Sequence, residues 1–231
     1  MKCYFQFGRS SIINSSCMDI LKDSICFGHK YSMIMADWPF KIYKKLYEET
    51  IMHSTKIMKK GGNFISILYP EENYYIRKEC ERYGLTFGDE IVFKMKMTYN
   101  MHDKQLPKRT LSALLMVNGS IDDRIWYGPH TKHKRILNAE SMDITTNEWF
   151  KTQFKNGFRR KHLNIKHKEA MPEWVVSNLL DLTVRKNDNV LDLFGGAGTV
   201  PNECARRDIE CISTEIKKEN CNIMKLRILN T

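Results

Sequence analysis

Three glycines fall within four residues at Gly195, Gly196 and Gly198, directly after the apolar run Val190-Leu191-Asp192 and directly before a helical pattern over roughly 199–207. A strand that turns through such a loop into a helix is the building unit of an α/β sheet, and the turn holds a ligand outside the carboxyl ends of the strands. Glycine there lets the ligand come close to the backbone. The spacing departs from G-x-G-x-x-G and no Gly-Lys-Ser/Thr follows, so neither a pyrophosphate fingerprint nor a P-loop is supported. A nucleoside-like ligand without phosphate fits instead. Asp192 supplies a carboxylate beside the loop, and Glu215 ends the next strand, Ile209–Glu215, where an acid about 20 residues beyond the loop is the usual hook for both ribose hydroxyls.

The rest of the chain alternates in the same way. Residues 31–36 are an apolar run of strand length, residues 41–60 repeat apolar side chains at helical spacing until Gly61-Gly62, and 63–69 is the next strand. Pro70 ends that strand, 71–83 is a charged helix capped by Gly84, and strands follow at 89–97 and 111–117. Tyr69 reads as an ordinary strand terminus, with lining of a ligand site as the alternative. A helix over 172–182, the strand at 190–192 and a last helix from about 217 to 229 complete an α/β pattern of 231 residues with helices on both faces of a sheet. The reading is one domain over 1–231, with a variable basic segment at about 98–165 in which the periodicity fades after Asn118.

Charge is concentrated in that segment. The chain carries a net charge of +10, and from Lys151 to Lys168 there are seven Lys or Arg, two His and no acid, interleaved with Phe154 and Phe158. A one-signed run with aromatics suits a nucleic-acid partner. The candidate contacts are Lys104, Lys108 and Arg109, then Lys132, Lys134 and Arg135, then Arg159, Arg160 and Lys161. Seven scattered cysteines without a C-x-x-C pair argue for reduced core residues rather than disulfides or zinc. The histidines show no H-x-x-x-H, and His130 to His133 reads as a solvated loop, so no metal is expected. No stretch approaches the ~18 consecutive apolar residues of a membrane span, which leads to the expectation of a soluble, cytoplasmic protein of a prokaryote or of a virus in its host cell.

The second informative stretch is Met35-Ala36-Asp37-Trp38-Pro39-Phe40, where an apolar strand ends in an acid, a proline and two aromatic faces. With the loop Asp192-Leu193-Phe194-Gly195-Gly196-Ala197-Gly198-Thr199 downstream, it resembles the S-adenosylmethionine-dependent amino-methyltransferases that modify exocyclic nitrogens of DNA bases. Their patterns are D-P-P-Y/F/W for the catalytic element and D-x-F-x-G-x-G-T for the cofactor loop. The order, catalytic element first and cofactor loop last, is similar to the circularly permuted beta group. His167 to Pro172 resembles the segment that precedes the loop strand, and Ile12 to Leu21 echoes I-x-x-G-D-x-x-x-x-L near the amino terminus. Trp38 stands where the family pattern has proline, and Ser15-Ser16 where it has Gly-Asp.

The resemblance implies a Rossmann-like methyltransferase fold with a mainly parallel twisted sheet, S-adenosylmethionine as cofactor and double-stranded DNA as substrate. It implies cofactor contacts from Asp192, Phe194, Gly195, Gly196, Gly198, Thr199, Glu215, His167 and Ser16. A homodimer or a partner subunit is a family-level expectation. Methylation of an amino nitrogen needs no covalent enzyme adduct, because the nitrogen attacks the sulfonium methyl in line with the departing sulfur. The difficulty is a lone pair delocalised into the base. Acceptors aimed at both N–H bonds draw the nitrogen toward tetrahedral geometry and stabilise the charge that develops on it. Asp37 is one such acceptor and the Trp38 carbonyl, restricted by Pro39, is the other. Phe40 offers a stacking face, worth ~1–3 kcal/mol per base, and Trp38 a second wall for a base flipped out of the duplex. An element that begins with Asp favours adenine N6 over cytosine N4. A catalytically silent nucleic-acid-binding subunit and an RNA methyltransferase are the alternatives.

Overall fold

The computed structural model describes residues 3–39, 44–99, 108–128, 148–150, 158–160, 165–167 and 170–230. Phe40, Lys104, Lys132, Lys134, Arg135 and Lys161 lie outside these, as does the stretch from His130 to His133. In chain order the elements are β1 (Phe5–Phe7), β2 (Ser10–Ile13), α1 (Cys17–Cys26), β3 (Tyr31–Asp37), α2 (Lys44–Ile57), β4 (Met58–Leu68), α3 (Pro70–Arg82), β5 (Leu85–Tyr99) and β6 (Lys108–Asn118). A 3₁₀ turn (Ile121–Asp123), β7 (Glu148–Phe150), β8 (Phe158–Arg160), β9 (Ile165–His167), α4 (Glu173–Thr183), β10 (Asn189–Asp192), α5 (Thr199–Arg206), β11 (Glu210–Thr214) and α6 (Lys218–Leu229) follow.

Nine strands form one sheet in the order β1-β2-β11-β10-β3-β4-β6-β5-β7, and β8 pairs with β9 apart from it. Parallel pairing runs through β2, β11, β10, β3 and β4 and recurs between β5 and β7, while β1–β2, β4–β6 and β6–β5 are antiparallel. Strand side chains alternate between faces, and the burial follows. Met33, Met35, Ile65 and Val190 pack with Val175 and Leu179 of α4 and Val200 and Cys204 of α5. Ile34, Ala36, Phe64 and Leu191 pack on the other face with Ile20 of α1, Ile51 of α2 and Ile76 of α3. This is the mainly parallel α/β sheet with helices on both faces that the sequence predicts.

The connectivity fixes where a ligand can sit. From β10 the chain passes through α5 to β11 on one side, and from β3 it passes through α2 to β4 on the other. The two connections leave in opposite directions, which opens a crevice at the carboxyl ends of β10 and β3. Register places Asp192 opposite Met35, and the Leu193 N–H donates to the Met35 carbonyl at 3.0 Å. The cofactor-loop stretch and Asp37 therefore leave adjacent strands at the same level.

Three expectations need correction. The helix read over 41–60 ends at Ile57, and Gly61 and Gly62 lie inside β4 rather than stopping a helix. Met58 pairs with Tyr31, and the register shifts between Tyr31 and Met33. A Cβ on Gly61, whose φ is +75°, would lie 1.9 Å from the Asp123 carbonyl oxygen, so a glycine is required by close approach. The fading of pattern after Asn118 does not mark departure from the core. Asn63 donates to the Ile125 carbonyl (2.8 Å), and the Tyr127 N–H donates to Leu182 O (2.7 Å), which ties 124–127 to β4 and α4. The first fourteen residues, given no strands by periodicity, add β1 and β2 to the sheet edge, where the Glu215 N–H meets Ile13 O at 3.1 Å.

Candidate active site

A cleft of about 430 Å³ opens at the crevice between β3 and β10. Asp37, Trp38 and Pro39 at the end of β3 share it with Asp192, Phe194, Gly195, Gly196, Thr199 and Glu215, and Ser16 reaches it from the start of α1. Two stretches about 155 positions apart in the chain thus form one site. Tyr69 lines it too, the less favoured of its two sequence readings. Among the described lining residues three are carboxylates and the only cation is Lys217. In a chain of net charge +10, an acidic cleft suits a ligand that carries positive charge rather than phosphate.

The glycine loop is shaped from beneath. Gly198 takes φ +75° as the N-cap of α5, and a Cβ there would lie 2.6 Å from Met224 Cγ. Gly198 is not among the residues lining the cleft; it lets α6 pack directly under the loop. Gly196 is the glycine open to a ligand. A Cβ on it would meet nothing nearer than Phe194 O at 3.9 Å, so the loop backbone is accessible from the cleft.

Asp192 is 1 % exposed, and its carboxylate accepts hydrogen bonds from Ser213 Oγ (2.7 Å) and the Phe194 N–H (3.4 Å). It organises the loop from inside. Burial pushes its pKa up to about 7, the Ser213 and Phe194 bonds opposing the rise and the Glu215 charge adding to it. An unfolded aspartate titrates near ~3.9, so between that value and about 7 the folded chain holds more protons at this site than the unfolded one. The contribution of this group to stability therefore falls as pH rises through the window. Asp192→Asn keeps an acceptor for Phe194 and can pair with Ser213, and the expected outcome is a smaller loss of melting temperature between pH 5 and pH 8 than in wild type, read by calorimetry.

Glu215 stands at the rim. Its carboxylate accepts the N–H groups of Gly196 (3.0 Å) and Lys217 (2.7 Å) and the Asn220 amide (3.2 Å). Carboxylate oxygens hold about four lone-pair sites between them, so one acceptor site is left for a hydroxyl of the ligand, and a second hydroxyl would have to replace one of these three donors. Ser16 caps α1, its Oγ accepting the Asp19 N–H at 3.3 Å. Thr199 Oγ1 donates to Met171 O (2.8 Å) and accepts from Arg227 (3.0 Å), so its hydroxyl holds the loop together.

Trp38 departs from the sequence reading. Its indole is 3 % exposed and donates from Nε1 to Ser66 Oγ at 2.8 Å. It packs edge-on against Tyr47 (4.7 Å, 85°) and against Phe194 (5.2 Å). A ring so held is part of the floor rather than an open stacking wall. Cys17 also lines the cleft, but burial raises its thiol to about 11, which leaves no nucleophilic thiolate near neutral pH. Cys3 and Cys26 are exposed, against the expectation of core cysteines, while the other five are buried.

Other assigned residues are placed only by backbone. Lys108 and Arg109 begin β6, Arg159 and Arg160 lie in β8, and His167 ends β9. Sequence reasoning missed Ser213, Asn220 and Arg227. Ser213 was within reach, because parallel pairing of β10 with β11 sets it opposite Asp192. Arg227 gives no such signal, since a cation in the last turn of a helix is usually solvated; here it is 1 % exposed and donates to Ala197 O (3.2 Å). Among the described residues no helix is long and apolar enough to cross a membrane, and no His/Cys/Asp/Glu group could hold a metal.

Comparison with known proteins adds the family. A family model described as DNA methylase, of the N6/N4 type, matches residues 27–226. Similar solved structures include M1.HpyAVI in its complex with SAM, with a TM-score of 0.72, 18% identity, and coverage of 95% of this chain and 99% of that chain. PvuII DNA methyltransferase, described as cytosine-N4-specific, has a TM-score of 0.74 and 15% identity over 98% of this chain and 88% of its own. Curated protein sequences give no match.

Proposed function

The chain belongs to the N6/N4 DNA methylase family, and on that premise we propose that it methylates the N6 amine of an adenine flipped out of duplex DNA, using S-adenosylmethionine. One observation carries the reading: Asp37, Trp38 and Pro39 share a cleft with the glycine loop and Glu215. S-adenosylmethionine supplies an electrophilic methyl group on a sulfonium centre. The residues present fit it: accessible backbone at Gly196, a carboxylate at Glu215 with acceptor capacity to spare, an acidic lining, and a volume of about 430 Å³, within the ~300–1,000 Å³ of ordinary ligand clefts.

Asp37 accepts one N–H of the target amine and the Trp38 carbonyl accepts the other, which withdraws the nitrogen lone pair from the ring and stabilises the positive charge that develops. Pro39 keeps Trp38 extended, which narrows the directions its carbonyl can take. Phe40, in the family pattern, stacks on the base. The basic segment at about 98–165, with Lys104, Lys108, Arg109, Lys132, Lys134, Arg135, Arg159, Arg160 and Lys161, contacts the phosphates, where ion release favours binding.

The test is incubation of the protein with labelled S-adenosylmethionine and mixed-sequence duplex DNA, followed by digestion to nucleosides. Label in N6-methyladenine is expected. Label in N4-methylcytosine would overturn the choice of base, and no transfer to DNA or RNA under broad conditions would overturn the enzyme.

A further inference from the structure

We propose that the Trp38 indole is a positioning residue for the amine clamp, holding the Trp38 carbonyl through a buried chain of hydrogen bonds that ends on Glu90. The inference rests on the assignment of Asp37 and the Trp38 carbonyl made above. Backbone pairing of β3 ends at Asp37, opposite Ile67. Pro39 holds Trp38 to extended φ and ψ but leaves a range of ~40°. Its carbonyl therefore depends on its side chain.

That side chain is held on all sides. Phe64 of β4 lies 6.5 Å from the indole, beside the contacts to Tyr47 of α2 and Phe194 of the glycine loop. Nε1 donates to Ser66 Oγ (2.8 Å), and Ser66 donates to Asn73 Oδ1 (2.8 Å). Asn73 Nδ2 donates to Ser112 Oγ (2.8 Å) and to Ser112 O (3.1 Å), and Ser112 Oγ donates to Glu90 Oε1 (2.7 Å). Ser66, Asn73 and Ser112 are no more than 1 % exposed.

Each hydroxyl in this chain accepts from the Trp38 side and donates onward, except at Asn73, whose oxygen accepts and whose amide donates. The polarity runs one way and terminates on a carboxylate. Hydrogen bonds so aligned polarise one another, and a buried indole N–H without its acceptor is costly. Ser66 and Ser112 lie on the same sheet face as Phe64, Leu68 and Leu114, an apolar layer under α3, where a bare packing role would be served by alanine. The polar strip links the β3 terminus to β4, α3, β6 and β5, and the Phe194 contact links it to the glycine loop.

The experiment compares wild type with Trp38→Phe, Ser66→Ala and the double variant in single-turnover methyl transfer to duplex DNA, with S-adenosylmethionine affinity measured by calorimetry. Each single variant is expected to lose about tenfold in rate, of the order of one buried hydrogen bond, with cofactor affinity unchanged. Because both changes cut the same link, the double variant should lose no more than the worse single. Wild-type rates in both singles, or losses that multiply in the double, would overturn the inference. Should Ser66→Ala fail to fold, Trp38→Phe keeps the aromatic contacts and decides alone. Should wild type bind cofactor and transfer no methyl group, the proposed function fails, and amide hydrogen exchange at Asp37 and Trp38 decides the positioning: faster exchange in Trp38→Phe supports it, and unchanged exchange refutes it.

Discussion

Asp37→Ala is expected to lower single-turnover methyl transfer by about 10²–10³-fold, the loss typical of removing one preorganised electrostatic partner of a transition state. S-adenosylmethionine affinity should fall far less than the rate, because the acid acts chiefly on the amine and is one of three carboxylates in the lining. The strand that carries it has little freedom to respond: Asp37 pairs with Ile67 on β4, and Met35 two residues earlier accepts from Leu193. The backbone pairing on both sides of the acid is made by main-chain atoms, which alanine keeps. Asp37→Asn retains an acceptor oxygen and loses the charge, so its rate should fall between alanine and wild type. A loss of rate far larger than the loss of affinity is the mark of an interaction made chiefly in the transition state. Equal rates in Asp37→Ala and wild type would remove this residue from the mechanism.

The fold was legible wherever burial marks the sequence, as a short run apolar on both faces in a central strand or as an apolar stripe on a helix. β3, β10 and the helix from Glu173 carry their burial pattern in the sequence, and the glycine loop announces a strand-to-helix turn by its composition. Errors fell where local pattern and tertiary contact disagree. Met58 to Lys60 continue a helical period yet pair with the sheet, because Tyr31 is their neighbour in space and not in sequence. Ser10 to Ile13 are too short to register as periodic, and pairing with β11 on one side and β1 on the other makes them a strand.

The site was legible in its identities more than in its roles. Asp37, Glu215 and the loop line one cleft. Asp192 and Thr199 have the right residue types in the right loop, but their polar atoms are turned to Ser213, Phe194, Met171 and Arg227. Nothing in a single sequence separates a carboxylate that touches a ligand from one that shapes the loop around it. Trp38 is the clearer case. An aromatic beside a catalytic acid reads as a stacking surface, and only its burial and its bond to Ser66 assign it to the floor.

Arg227→Ala is expected to be the most destabilising of the loop substitutions. The guanidinium donates to Ala197 O (3.2 Å) and Thr199 Oγ1 (3.0 Å) from one nitrogen and to Glu173 Oε1 (2.8 Å) from another. Burial lowers its pKa, and the Glu173 carboxylate opposes that shift. Breaking a buried pair by removing one partner costs ~3–5 kcal/mol when the other charge is left stranded. Glu173 is 40% exposed and also lies 3.6 Å from Arg206, so it can be rehydrated, which places the cost near the lower end. About 3 kcal/mol corresponds to roughly 6–12 °C of melting temperature for a chain of this size. Arg227→Lys should recover only part of it, since one ammonium cannot reproduce the planar fork that spans three acceptors. Cofactor affinity should fall in both variants, because Ala197 and Thr199 lie in the stretch that lines the cleft. Glu173→Gln should cost far less than either. Thermal unfolding and calorimetric titration with S-adenosylmethionine check these outcomes together, and a melting temperature for Arg227→Ala equal to that of wild type would show that the buried cation does not hold the loop.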